Sequence, residues 1–185
     1  MYRSILFPLL ILSGLLLSKA VLPRLCAADA PAGASDVEQK KFVGRISSII
    51  PPAGFEALGD KALKAMRSKA DSLKIGGVAV IAFFEGNEPQ SWVSKMSVVG
   101  RYKDPSSASD PGANLVAIAY AKASEMALTL RNSGDPGRPK LVGELCWQGG
   151  VVRPCKNGYV IAAFSGGKSE QDVEVSKAGV AAVDE

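Results

Sequence analysis

Apolar and polar positions alternate along this chain in two distinct rhythms. From Phe55 to Leu73, the residues Leu58, Ala62, Ala65, Met66, Ala70 and Leu73 recur at helical spacing, with Lys69 on the same row. Pro51-Pro52 closes the preceding segment and Gly76-Gly77 ends the helix. Ala113 to Arg131 predicts a second helix, stopped by the breakers from Asn132 to Gly137, and Glu170 to Val183 a third. Ser169 is placed to cap that third helix, with Asp172 three residues later as its reciprocal partner.

The other rhythm is that of strands. Val78 to Phe84 is an unbroken apolar run of strand length, which predicts a central strand buried on both faces. Glu85 to Pro89 is a turn, and the partly alternating Ser91 to Val99 is the antiparallel partner. Lys103 to Gly112 reads as a surface loop. Leu141 to Trp147, Val151 to Cys155 and Tyr159 to Phe164 read as further strands, the last two joined through Lys156-Asn157-Gly158. Phe42 to Ile50 suits a short strand or helix. The order helix, hairpin, helix, hairpin, helix predicts a single domain of α/β (α+β) class. Hairpins make its sheet mainly antiparallel, and the helices flank it.

The N-terminus differs in kind. Arg3 precedes a nearly wholly apolar run from Ile5 to Leu17, and small residues follow at Ala28 and Ala30. The run suits the core of a secretory signal and is short for a span of about 20 residues. Residues 1–30 are therefore read as a signal peptide, 31–54 as an N-terminal extension and 55–185 as the domain. The contrasting reading is an uncleaved anchor extended through Val21 and Leu22. Leu25 before Cys26 argues against a lipoprotein. A periplasmic or extracellular location follows, with no stable membrane anchor after cleavage.

Composition narrows the chemistry. The 185 residues include no histidine, which excludes His-based acid–base catalysis and histidine ligation of zinc or haem. Arg3, Lys19 and Arg24 against Asp29 account for about half of the formal net charge of +4. The remainder holds no basic stripe suited to nucleic acid.

A few residues stand out as candidates for chemistry. On the second helix Lys122 lies about 20° from Leu115 and about 40° from Met126, so an ammonium sits on the apolar face. It either contacts an anion in a pocket, snorkels, or joins an ion pair at a subunit interface. Ser165-Gly166-Gly167-Lys168-Ser169 is not a phosphate loop, because Ala162 stands where that motif needs glycine. The turn offers an anion nest at a helix N-terminus, or simply the backbone freedom of a tight turn. Asp172 reads as a helix cap rather than an acid catalyst. Cys146 and Cys155 bracket Gly149-Gly150, and outside the cytoplasm they are expected to form a disulfide; a redox-active pair or metal-ligating thiols are the alternatives.

The segment from Tyr159 to Asp172 (YVIAAFSGGKSEQD), followed by Ala178-Gly179-Val180-Ala181, resembles the closing signature of the GlcG/HbpS-like family, which includes the C-terminal domain of PduO-type proteins. Val78 to Phe84, Lys95-Met96, Ala121-Lys122-Ala123, Gly149-Gly150-Val151 and Gly158 match earlier parts of that pattern in order. Two departures are the Glu85-Gly86 turn and the longer loop from Tyr102 to Gly112. The resemblance implies a profilin-like fold, homo-oligomers, and haem, a related tetrapyrrole or a small organic anion as ligand. Lys122, Met126, Ser165, Gly166 and Gly167 would line the pocket. Without histidine, haem would need tyrosine, methionine, lysine, cysteine, a hydroxyl, or no axial bond at all. The expected function is an exported ligand-binding protein, with no catalytic residue assigned. The competing reading is a non-enzymatic oligomeric redox or sensor module reporting through Cys146 and Cys155; an enzyme using Lys122 or the cysteines ranks last.

Overall fold

The computed structural model describes residues 52–184; the signal, the anchor alternative, residues 31–51 of the extension and the element expected at Phe42 to Ile50 lie outside it, and residues 52–54 of the extension open the first helix. The chain runs α1 (Pro52–Ser72), β1 (Gly77–Glu85), β2 (Val93–Val99), β3 (Lys103–Asp104), β4 (Ala113–Asn114), α2 (Leu115–Thr129), β5 (Gly150–Cys155), β6 (Gly158–Ser165) and α3 (Ser169–Asp184). Four strands form an antiparallel sheet in the order β2-β1-β6-β5, and β3 pairs with β4 in a separate ribbon. This is the α+β class that the pattern predicts. No helix among the described residues is long and apolar enough to cross a membrane.

The two-sided burial of β1 builds two cores. Ala79, Ile81 and Phe83 face α1 and α3, where they meet Met66, Phe164 and Val175. Val78, Val80, Ala82 and Phe84 face α2, where they meet Leu115, Ala119 and Met126. Strand alternation thus sorts one apolar run into two layers. The register sets Val78 opposite Ser165 on β6 and opposite Val98 on β2. Asn114 caps α2 by accepting the Ala117 N–H at 3.0 Å, and Leu130 ends it in the left-handed region at φ 55°.

One expected strand does not form. Leu141 to Trp147 is an irregular loop in which Val142 stands wholly in solvent. The position beside β5 that it would fill is taken by side chains. Ser133 Oγ accepts the Gly150 N–H at 2.8 Å, and Asn132 Oδ1 accepts the Val152 N–H at 3.1 Å. The loop is instead pinned internally, by Arg138 on Glu144 at 2.5 Å and the Leu141 N–H on the same carboxylate at 2.6 Å.

The expected disulfide is corrected with that strand. Cys146 and Cys155 are not joined. The hairpin that would have set them opposite each other is absent, since β5 pairs with β6 and places Cys155 opposite Gly158.

Candidate functional site

Strand β6 ends at Phe164-Ser165, turns through Gly166-Gly167 and enters α3. The Lys168 carbonyl accepts the Asp172 N–H at 2.9 Å, so Lys168 occupies the cap position. Gln171 Oε1 accepts the Lys168 N–H at 3.0 Å, and Asp172 Oδ1 accepts the Gly167 N–H at 2.8 Å. Ser169 is exposed and is the first helical residue, which corrects its expected role as the cap. Gln171 makes the reciprocal bond instead, because it is the residue three positions after the cap.

Asp172 uses its other oxygen on Lys122. The Lys122 ammonium lies 2.9 Å from Asp172 Oδ2 and donates to the Phe164 carbonyl at 2.8 Å. Lys122 is 2% exposed and Asp172 3%. Burial pushes the Lys122 ammonium below the ordinary lysine range, opposed by the charge and hydrogen bond of Asp172. Burial likewise pushes the Asp172 carboxyl upward, opposed by Lys122 and by the Gly167 and Gly166 N–H groups. The anion seated in the Gly166-Gly167 nest is therefore the chain's own carboxylate, at the positive end of α3.

A backbone strap closes this pair from above. Gly149 has φ 136°, and a Cβ there would overlap Lys122 Nζ and stand 2.8 Å from Asp172 Cβ. The Gly149 carbonyl accepts the Phe164 N–H at 3.0 Å and the Ser176 hydroxyl at 2.7 Å. Gly166 needs its freedom for a similar reason: at φ 151°, a Cβ would overlap the Gly76 carbonyl oxygen.

The structure thus brings Lys122, Ser165, Gly166 and Gly167 to one place, where the ammonium is committed to Asp172 and Phe164. Met126 is fully buried in the α2-side core, and its Sδ would come within 2.8 Å of a Cβ on Gly150. An open concavity of about 610 Å³ lies elsewhere, beside the N-terminus of α2. Tyr102, Lys103, Pro105, Pro111 and Val116 help line it. Among the described residues no three Cys, Asp or Glu side chains gather as a metal site.

Sequence reasoning missed two members of the closed arrangement and its flank. Ser176 follows Asp172 by one helical turn, and Glu125 follows Lys122 by three residues, so both lie on faces already marked as buried. Glu125 accepts the Gly134 N–H at 2.9 Å and anchors the loop after α2. No protein-family model matches the chain, and no curated protein does.

Proposed function

We propose that this chain is an exported, non-enzymatic binding protein of the GlcG/HbpS kind, holding haem, a related tetrapyrrole or a small organic anion. One observation carries the kinship. The resemblance includes Lys122, Gly149, Phe164, Gly166, Gly167 and Asp172. They are scattered over some fifty positions of sequence yet meet in a single buried arrangement.

The same arrangement moves the ligand away from Lys122. Its ammonium already has two partners, and Gly149 leaves no room beside it. The concavity beside α2 fits the ligand class better. Its volume falls within the usual range of small-molecule sites, about 300–1,000 Å³. Tyr102 is half-exposed there, and its ring has Lys103 Nζ 5.7 Å from the centroid. The Tyr102 phenol would supply an oxygen donor to ferric haem, Lys103 would meet a carboxylate, and Pro105, Pro111 and Val116 would cover an apolar ring edge. Haem in this place brings its own visible absorption, which makes the reading directly testable.

The experiment is an absorbance titration of the exported protein with haemin, repeated on Tyr102→Phe and Lys103→Ala. A saturable, near-stoichiometric Soret shift that Tyr102→Phe alters is expected. A featureless titration removes haem as the ligand, and a shift unchanged in both variants removes this concavity as the site.

A further inference from the structure

The two edges of the sheet are finished differently. At the β5 edge the outward N–H groups of Gly150 and Val152 are taken by Ser133 and Asn132, and Pro154 has no N–H to offer. At the β2 edge, among the described residues, the outward backbone groups of Ser94, Met96 and Val98 make no hydrogen bond. From Val93 to Val98 every second residue turns an open N–H and C=O away from the sheet.

The side chains of β2 alternate about this open edge. Ser94, Met96 and Val98 lie opposite Ala82, Val80 and Val78, on the α2 side. Helix α2 packs on β1, β6 and β5 and reaches β2 at Ser94, whose Oγ lies 3.5 Å from the Tyr120 hydroxyl, leaving Met96 and Val98 each 39% exposed. Lys95 and Ser97 lie on the α1 side. A groove of about 320 Å³ runs there between β2 and α1, where Asp60, Leu63, Lys64, Arg67, Lys95 and Ser97 help line it.

Charge in that groove is not balanced. Lys95 is met by Glu56 at 3.0 Å and Asp60 at 2.7 Å. Lys64 and Arg67 are exposed, one turn apart on α1, and neither has a carboxylate partner among the described residues; Arg67 donates to Ser97 Oγ at 2.5 Å. Open backbone and an apolar row on one face of β2 therefore lie beside Lys64 and Arg67 of α1 on the other, in a groove where three cations meet two carboxylates.

We propose that the β2 edge binds an extended acidic peptide segment of a partner protein by strand addition. An added strand points successive side chains to opposite faces of the sheet. Apolar residues of the peptide would lie on Met96 and Val98, and carboxylates at alternate positions would reach Lys64 and Arg67. A second copy of this chain is the poorer occupant. Pairing β2 with its own copy about a two-fold axis sets both α1 helices on one face and brings like charges together at Lys64 and Arg67.

The test is fluorescence anisotropy of the full chain with three labelled peptides: alternating Glu-Val, alternating Lys-Val, and Glu-Val with a central proline. Binding of the first alone is expected, because proline removes a ladder hydrogen bond. The double variant Lys64→Glu/Arg67→Glu should weaken it by about tenfold or more, and raised salt should weaken it in the wild type. A thermal melt by circular dichroism confirms that this surface variant is folded. Equal binding of the Lys-Val peptide, indifference to charge reversal, or binding that survives proline overturns the proposal. No binding of any peptide overturns it too, whether the edge is covered by residues before α1 or by a second copy.

Discussion

Replacing Lys122 by methionine removes the buried ammonium while keeping much of its length. Three consequences can be read from the geometry. Asp172 loses its partner at 2.9 Å, the Phe164 carbonyl loses its donor at 2.8 Å, and both are left buried under the Gly149 strap. Breaking one side of a buried ion pair costs about 3–5 kcal/mol. Lys122→Met should fall near the lower figure, since Asp172 keeps the Gly167 N–H and the favourable end of α3. Asp172→Asn should fall near the upper one, because it leaves an ammonium buried at 2% exposure. For a domain of this size the thermal midpoint should drop on the order of 10–20 °C. Urea titrations of the two single variants and the double variant form a cycle. The double variant should cost about 1–3 kcal/mol less than the two singles together. A Lys122→Met protein within about 0.5 kcal/mol of wild type, or strict additivity in the cycle, would refute the buried pair and return Lys122 to solvent or ligand.

Three further outcomes are expected. Gly149→Ala should destabilise by about 2–5 kcal/mol in the same urea assay, since it combines an unfavourable φ with overlap at Lys122; a neutral result would mean that the strap lies farther off. Glu125 has its carboxyl pushed upward by burial, so its contribution to stability is full below the ordinary glutamate value and is lost as pH rises through the raised one. Urea midpoints of wild type should therefore fall relative to Glu125→Gln as pH rises above the ordinary glutamate value, and a rise would reverse the assignment. Cys146 and Cys155 should each be alkylated without prior reduction and found on separate peptides by mass spectrometry; a peptide pair linked through both would restore the disulfide. Burial pushes the Cys155 thiol upward, so it should react slowly at neutral pH.

The Lys122 geometry also changes how the sequence motif is understood. A lysine on an apolar stripe and a glycine-rich turn before a helix each suggest a place for an anion. Here they answer each other, because the anion is Asp172. The arrangement joins α2, the end of β6 and the start of α3, elements that belong to different layers of the fold. Its observable role is to lock those layers in register. A ligand site must then be sought where side chains remain open to solvent, as at Tyr102.

By itself the sequence determined the three helices and the four strands of the main sheet, but not the β3–β4 ribbon, whose Lys103 and Asp104 lie in the expected loop. The apolar run Val78 to Phe84 reads as a two-sided strand, and the 3.6-residue period around Lys122 put that residue on the apolar face before any partner was known. The β5–β6 hairpin was equally legible, in the turn at Lys156-Asn157 before Gly158. Period and turn chemistry are local, so a short window carries them. Only the tertiary structure decided what each buried group touches. Asp172 stands fifty positions after Lys122, and nothing in either neighbourhood names the other. The strand expected at Leu141 to Trp147 failed because Ser133 and Asn132 had already taken the β5 edge, and the disulfide failed with it. Strand and helix are chosen by nearby residues. Edges, ion pairs and pockets are settled by competition among segments distant in sequence, and that competition takes place only once the layers have packed.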